Sequence, residues 1–208
     1  MTHTEYRDLV LGVVLAGGLS RRFRGADKAF QILAGRTLVE RVVERALPQV
    51  ARLIISANRD IEGFQGMGAD EVIVDNRPDR EGPLAGVEAA INWVEVREIA
   101  LPWVATFPVD GPFVPNDLVV RLLERAAQSG TPAVASCQGQ DHPAFGVWPV
   151  GIAGNLRSYL ARKERESIMS FVASQNGSSV AFEARTPDPF FNINTREDLA
   201  QAEALLGL

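Results

Sequence analysis

A glycine pair and a group of cations stand close together near the start of the chain. Residues 15–28 have the sequence LAGGLSRRFRGADK, in which Gly17 and Gly18 precede four cations within eight residues: Arg21, Arg22, Arg24 and Lys28. Paired glycines let the backbone approach a ligand and turn its N–H groups toward anionic oxygens. The cations can balance much of the charge of a triphosphate. The segment therefore predicts a phosphate-binding loop, although a glycine turn followed by a solvated basic loop would have the same composition.

An aspartate follows another apolar run farther along the chain. Residues 107–113 have the sequence FPVDGPF, with Asp110 directly after the run and before a turn. Mg²⁺ prefers one or two carboxylates together with phosphate oxygens and water. Asp110 is therefore a candidate metal ligand. The alternative is an ordinary turn aspartate before Pro112.

The elements that must position these residues alternate along most of the chain. Continuous apolar runs of four to seven residues, or shorter β-branched ones, predict strands that are buried on both faces, at 9–15, 53–56, 72–74 and 103–107. Residues at the three-to-four spacing of one helix face predict helices over 38–50 and 84–94, and Asn116 is expected to cap a third. This alternation predicts a parallel sheet with helices on both sides.

The last third of the chain has a different pattern. Two apolar runs, 133–136 and 144–148, flank a turn centred on Gly139, which predicts an antiparallel pair. Thr195 is expected to begin a final helix, with Asp198 in the capping-box position. Neither repeats nor a low-complexity linker interrupt the chain, so a single domain over residues 1–208 is expected.

Composition and charge exclude several classes of protein. Hydrophobic residues make up 46% and the formal net charge is −5, without a basic stripe, so nucleic acid is not an expected partner. No apolar run is long enough to span a membrane, and the polar start does not resemble a signal peptide. Cys137 is the only cysteine, which excludes an intrachain disulfide and suits a reducing compartment. A soluble, cytoplasmic protein is expected.

The first loop resembles a known signature. Its sequence is similar to the L-A-G-G-x-S-x-R-M-G-x-D-K motif of the MobA-like nucleotidyltransferases. Phe23 stands where that family usually has Met, and Arg24 where it usually has Gly. The resemblance implies an α/β fold of the Rossmann-like, three-layer type, with a mostly parallel sheet and a small antiparallel part. The matching residues are Leu15, Ala16, Gly17, Gly18, Ser20, Arg22, Asp27 and Lys28.

The resemblance extends through most of the chain. Within the family, it points most specifically to the molybdenum cofactor guanylyltransferases. Residues 56–59 (SANR) are similar to a segment that the family places near the guanosine, with Ser56 in place of a frequent asparagine. Residues 82–86 (GPLAG) are similar to a further family stretch that follows Asp75. The implied nucleotide-binding residues are Leu15, Ala16, Gly17, Gly18, Lys28, Ser56, Asn58, Asp75 and Asp110. Asn58 and Asp75 could also be ordinary turn residues.

The later part of the chain resembles the family's acceptor half. Residues 141–143 (DHP) and 192–195 (NINT) match the family's D-H-P and N-x-N-T segments, which implies that His142, Asn192 and Asn194 bind the pterin acceptor. An orienting histidine and a helix-starting asparagine are the alternatives. The N-terminal half would bind GTP.

The resemblance implies transfer of GMP from GTP to the terminal phosphate of molybdopterin, or of its molybdenum form, with release of pyrophosphate. Asp110 would hold Mg²⁺, and Lys28 and Arg22 would neutralise the triphosphate. Transient contact with other cofactor-biosynthesis proteins or with molybdoenzymes is also implied. Three alternatives stay open: a molybdopterin cytidylyltransferase, a sugar-phosphate nucleotidyltransferase and a non-catalytic nucleotide- or cofactor-binding adaptor.

Overall fold

A seven-stranded sheet forms the centre of the molecule. The computed structural model describes residues 3–17, 27–75, 82–162 and 167–207. The strands of this sheet and of a separate two-stranded sheet are β1 (Val10–Leu15), β2 (Ile32–Leu33), β3 (Arg36–Thr37), β4 (Arg52–Ser56), β5 (Glu71–Ile73), β6 (Trp103–Pro108), β7 (Ala133–Cys137), β8 (Gln140–Pro149) and β9 (Ser178–Phe182). β2 and β3 form the small antiparallel sheet, and the other seven strands form the large one.

The large sheet is parallel except for one strand. Its order is β5-β4-β1-β6-β8-β7-β9, and β8 runs antiparallel to both of its neighbours. The predicted antiparallel pair is confirmed, since β7 and β8 are joined by a tight turn in which Gln138 and Gly139 have φ values of 51° and 80°. The predicted mostly parallel α/β fold with a small antiparallel part is thus confirmed.

Helices connect and cover the strands. They are α1 (His3–Arg7), α2 (Leu38–Ala46), α3 (Pro83–Val96), α4 (Leu118–Ser129), α5 (Ala153–Leu160), α6 (Ile168–Ser174) and α7 (Arg196–Leu205). Across the described parts of the chain, every helix is too short or too polar to cross a membrane.

Two helix boundaries differ from the sequence predictions. α2 ends at Ala46 instead of continuing to 50, and a short 3₁₀ turn that contains Pro48 follows it. Proline has no N–H for the next α-helical hydrogen bond, so the helix cannot continue unbroken through it. The prediction that Asn116 caps α4 is wrong. The residue before α4 is Asp117, and the Asn116 side chain instead accepts a hydrogen bond from Arg45 Nη1 at 2.9 Å.

Alternate residues of β1 show how the sheet is buried on both faces. Val10 and Val14 belong to a core that also contains residues of α2 and α4. Leu11 and Val13 belong to a second core, on the opposite face, with residues of α3 and α5. Successive side chains of a strand point to opposite faces, so the sheet is the middle of three layers. This agrees with the three-layer arrangement expected from the sequence.

A small third cluster ties the C-terminal helix to the beginning of the chain. Its buried members are Leu33 of β2, Leu38 of α2, Ala202 of α7 and Ile193, which precedes α7. None of them has measurable exposure to solvent. α7 begins with the predicted capping box, because Thr195 Oγ1 accepts from the backbone N–H of Asp198 and the Asp198 carboxylate accepts from that of Thr195. The segment before α7 is therefore held against the N-terminal half.

Candidate active site

The carboxyl ends of four adjacent parallel strands meet at one edge of the large sheet. Leu15 at the end of β1 is in register with Ser56 of β4 and with Pro108 of β6, and Ser56 is in register with Ile73 of β5. The loops that leave these strands start beside one another, at the edge where open α/β sheets bind ligands. A cavity of about 200 Å³ lies there. The predicted site residues that line it are Leu15, Ala16, Gly17, Lys28, Ser56, Asp75, Asp110 and Asn192.

The Lys28 ammonium lies between two acceptors from distant parts of the chain. Its Nζ donates to Asp110 Oδ2 at 2.6 Å and to Asn194 Oδ1 at 3.2 Å. The Lys28 and Asp110 side chains are 15% and 19% exposed, so the pair is shielded from bulk water but open to the cavity. Charges interact more strongly where water is partly excluded. A positive group and a carboxylate thus stand together at the cavity wall.

The turn that carries Lys28 is capped by its neighbour. Asp27 precedes a short 3₁₀ helix over Lys28–Phe30, and its Oδ1 accepts from the backbone N–H of Ala29 at 2.9 Å. Ala29 is fully buried, so the turn is anchored on both sides of the lysine. Asp27 also lines the cavity. No site role was predicted for it, although an aspartate at a capping position is a readable signal.

A closed hydrogen-bond network surrounds the Asp75 carboxylate. Its Oδ1 accepts from Ser56 Oγ at 2.6 Å and its Oδ2 from Asn58 Nδ2 at 2.8 Å. The Asn58 side chain in turn accepts from the Asp75 backbone N–H at 3.0 Å. Asp75 is 8% exposed and Ser56 2% exposed. Three residues that were predicted separately are thus brought together as one unit, whose donors compensate the burial of the carboxylate.

Two glycines allow this network to approach the first loop and α3. A Cβ added at Gly17 would lie 3.2 Å from Asn58 Nδ2 and 3.4 Å from Asp75 Oδ2. A Cβ added at Gly86 would lie 2.5 Å from Leu15 Cδ2 and 3.4 Å from Ser56 Oγ. A side chain at Gly17 would thus press on the Asp75 network, and Gly86 lets α3 pack directly on the floor of the cavity.

The predicted acceptor residues occupy three different positions. Asn192 lines the cavity, and Asn194 accepts the hydrogen bond from Lys28. His142 lies within β8, because the strand begins at Gln140 and not at the predicted residue 144. Its ring stacks on Phe190 with centroids 4.8 Å apart, and it is not among the residues that line the cavity. Burial lowers the pKa of the His142 imidazole, against the opposing effect of Asp188 and Asp141.

Two predicted site residues, Gly18 and Arg22, lie outside the residues that the structure describes, as do the other cations of the first loop, Arg21 and Arg24. Their roles stay predictions. The described part of the loop ends at Gly17 and resumes at Asp27. Both ends lie on the wall of the cavity.

The chemistry of the described side chains fits a magnesium ion that is shared with a phosphate ligand. Asp110 and Asp27 provide carboxylates on the wall of one cavity. Within the described ranges, no group of three or more His, Cys, Asp or Glu side chains is placed to hold a metal ion. Mg²⁺ commonly takes only one or two carboxylates from the protein and completes its shell with phosphate oxygens and water. The donor set suits that arrangement better than an all-protein metal cage.

A family model described as the MobA-like NTP transferase domain matches residues 12–178, which include the first loop, the Asp75 network and Asp110. The chain belongs to the MobA-like NTP transferase family. This confirms the resemblance predicted from residues 15–28 and makes the chain a nucleotidyltransferase.

Relatives within this family are similar over almost the whole chain. A protein of Nitrobacter hamburgensis named molybdenum cofactor guanylyltransferase is 41% identical over 198 residues, which cover 95% of this chain and 94% of that protein. A protein of Cereibacter sphaeroides with the same name is 45% identical over 199 residues, covering 95% and 97% of the two chains. The predicted resemblance to this branch of the family is therefore confirmed.

Solved structures share the fold of this family member. The molybdopterin-guanine dinucleotide biosynthesis protein A of Archaeoglobus fulgidus aligns with a TM-score of 0.70 at 23% identity, over 95% of this chain and 98% of that one. A 4-diphosphocytidyl-2C-methyl-D-erythritol synthase of Anaerococcus prevotii aligns with a TM-score of 0.74 at 12% identity, over 97% of each chain. Since both align well, the fold alone does not distinguish guanylyl from cytidylyl transfer.

Proposed function

We propose that the protein is a molybdenum cofactor guanylyltransferase, which transfers GMP from GTP to the terminal phosphate of molybdopterin or molybdenum-molybdopterin and releases pyrophosphate. The observation that carries this proposal is the Lys28–Asp110 pair on the wall of a cavity that the glycine loop and the Asp75 network also line. The names of the relatives at 41% and 45% identity favour GTP and molybdopterin as the substrates. We propose that the chain acts as one domain, whose N-terminal half binds GTP.

The nucleotide is expected to bind along the ends of β1, β4 and β5. Gly17 leaves room for the backbone to approach a phosphate, and Lys28 supplies a compact positive charge. The Ser56–Asp75–Asn58 network offers polar atoms to the nucleoside end. Asp75 is already engaged by two donors, so we expect it to act on the nucleotide as part of this preformed network. Arg22 would add charge to the triphosphate.

The reaction itself needs little proton chemistry from the protein. An oxygen of the acceptor phosphate attacks the α-phosphorus of GTP, a new P–O bond forms, and the bond to pyrophosphate breaks. The acceptor oxygen is already anionic, so no strong general base is required. The barrier comes from bringing polyanions together and from charge that builds up on the phosphate oxygens, which positioning and electrostatics can lower.

Asp110 is the proposed magnesium ligand, and when bound the ion would neutralise phosphate charge and draw the phosphate oxygens into line. Lys28 would hold the Asp110 carboxylate in place and contribute its own charge. Asn192 faces the same cavity from the C-terminal half. We propose that Asn192 contacts the pterin acceptor together with Asn194, and contact by His142, which does not line the cavity, stays a prediction.

A nucleotide-selectivity assay tests the proposal. Purified protein would be incubated with molybdopterin, MgCl₂ and GTP, CTP or UTP in turn, and pyrophosphate and the dinucleotide product would be measured. We expect transfer from GTP to exceed transfer from CTP by at least about a hundredfold, since nucleobase hydrogen bonds discriminate strongly against bases that leave polar groups unpaired. Preferential use of CTP would establish the cytidylyltransferase alternative.

Two controls separate the remaining alternatives. Replacing molybdopterin by a sugar 1-phosphate tests the sugar-phosphate nucleotidyltransferase, for which we expect no product. An adaptor would bind GTP in calorimetry yet release no pyrophosphate with any acceptor. That result would contradict the proposed enzyme function. A cytoplasmic location, transient contact with other cofactor-biosynthesis proteins and the absence of nucleic-acid partners stay predictions.

A further inference from the structure

The segment before α7 contacts the Lys28–Asp110 pair through Asn194, and Asp198 at the start of α7 is hydrogen-bonded to this segment. Asp198 of α7 has one carboxylate oxygen, Oδ2, that accepts from the backbone N–H of Asn194 and from that of Thr195, both at 2.8 Å. The first of these bonds goes beyond an ordinary capping box, which needs only the bond to the capping residue. Asp198 therefore fixes the backbone of the residue whose side chain contacts Lys28.

Two further contacts hold the same segment. The backbone N–H of Ile193 donates to the carbonyl oxygen of Asp110 at 2.8 Å. The Ile193 side chain is fully buried in the small cluster with Leu33 and Leu38. Asn194 thus lies between Ile193, which is packed into the small cluster, and Thr195, which caps α7. From this backbone position its side chain accepts the hydrogen bond from Lys28 Nζ at 3.2 Å.

We propose that Asp198 is a positioning residue for the transfer reaction. Its carboxylate holds the Asn194 side chain against the Lys28 ammonium, and thereby holds the ammonium beside Asp110. The proposal rests on the proposed function, in which Lys28 and Asp110 serve the phosphates. It also means that docking of the C-terminal helix sets the geometry of the nucleotide half.

A second capping box among the described residues, at the start of α2, provides a matched control. At the start of α2, Glu40 Oε2 accepts from the backbone N–H of Thr37 at 2.7 Å, as Asp198 does for Thr195. Both helices contribute to the same small cluster. The hydrogen bonds of the Glu40 side chain in the described structure are all made with Thr37, so Glu40→Ala removes a cap without releasing Asn194.

The position of the lysine can be observed directly, because Lys28 and Lys163 are the only lysines in the sequence. Protein labelled with ¹³C at lysine Cε in a Lys163→Arg background gives one lysine signal, that of Lys28. We expect Asp198→Ala and Asn194→Ala to shift this signal toward that of a free lysine. Glu40→Ala should leave it unchanged. Asp198→Asn, which keeps a carbonyl oxygen as acceptor, should restore most of the wild-type signal.

Kinetics supply the second readout. Asp198→Ala should lower kcat about tenfold with a smaller change in KM for GTP, since the charge of Lys28 remains but its position is lost. The melting temperature of this variant should fall by about 2–4 °C, as for the loss of one helix cap. Glu40→Ala should also lower the melting temperature but keep kcat within twofold.

The proposal is overturned if the Lys28 signal is the same in Asp198→Ala as in the wild type, or if Glu40→Ala shifts it equally. A kcat loss of equal size in both cap variants would likewise reduce Asp198 to a stabilising residue. The lysine signal needs no substrate. If the wild-type protein transferred no nucleotide at all, the proposed function would fail while the signal still reported whether Asp198 positions Lys28.

Discussion

The Lys28 Nζ lies 2.6 Å from the Asp110 carboxylate, although 82 residues separate the two in the chain. The lysine follows the first loop and the aspartate follows β6. β1 and β6 are neighbouring parallel strands, so the segments that follow them start at the same edge of the sheet. Lys28 and Asp110 line the cavity at that edge. The pair brings opposite charges to a site that is proposed to bind both a metal ion and phosphates.

Asp110→Asn should remove most turnover and leave the fold intact. The substitution keeps the shape of the side chain but removes the charge that a metal ion and Lys28 both require. Loss of this charge should slow transfer by a factor on the order of a hundred or more. Pyrophosphate release at saturating magnesium measures the effect, and a circular dichroism spectrum checks the fold. Near-normal magnesium-dependent turnover would contradict the assignment of Asp110 to the metal.

Lys28→Ala should weaken the use of GTP more than that of the acceptor. Among the described residues that line the cavity, Lys28 is the cation. Gly17 of the first loop lines the same cavity. Steady-state kinetics in which GTP and molybdopterin are varied separately should show the larger change in kcat/KM for GTP. Arg36→Ala is a suitable control because this exposed arginine pairs with Glu44 at the surface. An effect confined to the acceptor would reverse the proposed role.

Asn192→Ala should weaken molybdopterin binding and leave GTP binding almost unchanged. Asn192 reaches the cavity from the C-terminal half, and an asparagine can both donate to and accept from a polar heterocycle. A lost hydrogen bond to a buried polar group costs roughly 1–3 kcal/mol. Calorimetric titration of the variant with each ligand decides the matter, and the double variant with Asn194→Ala extends it. If GTP affinity collapses while pterin affinity holds, the two halves of the site are assigned the wrong way round.

Gly86→Ala should destabilise the floor of the cavity. The added methyl group would lie 2.5 Å from Leu15 Cδ2, so either the side chain or α3 must move. Overpacking of this kind costs about 1–3 kcal/mol. Gly154→Ala in α5 is the matched control, since nothing lies within 4 Å of its added Cβ. Urea unfolding should show a loss for the first variant and no loss for the second; equal midpoints would mean that Leu15 yields without cost.

Stability should fall below neutral pH because of His142. Burial lowers the pKa of its imidazole from the ordinary value of 6.5, so the unfolded chain takes up the proton more readily than the folded protein. This contribution is fully present above pH 6.5 and is lost as the pH falls through the lowered value. His142→Phe keeps a ring on Phe190 and cannot titrate. The free energy of unfolding of the wild type, relative to this variant, should therefore decrease between pH 7.5 and pH 5. A constant difference would contradict a lowered pKa for this half-buried imidazole.

Local patterns in the sequence determined the elements and several of their ends. Apolar runs predicted β1, β4, β5 and β6 to within two residues, because short continuous apolar segments suit the strands of a sheet that is covered on both faces. β5 is at the edge of the sheet and is only half-buried, so the predicted burial on both faces is wrong for this strand. The Thr195–Asp198 box predicted the start of α7 for a reason contained in four residues, namely reciprocal hydrogen bonds at a helix end. The first loop, with Lys28, was sufficient to indicate the family.

The tertiary structure decided which of the predicted residues meet. Lys28 and Asn194 are 166 residues apart, and no local rule pairs a lysine with one particular asparagine. That contact depends on a sheet that orders its strands out of sequence and on a helix that docks onto the N-terminal half. Long-range packing also decided the role of Asn116. Asparagine is a favoured capping residue, but this side chain accepts a hydrogen bond from Arg45 instead. Propensity and periodicity act over a few residues, whereas a buried hydrogen bond forms only where long-range packing brings donor and acceptor together.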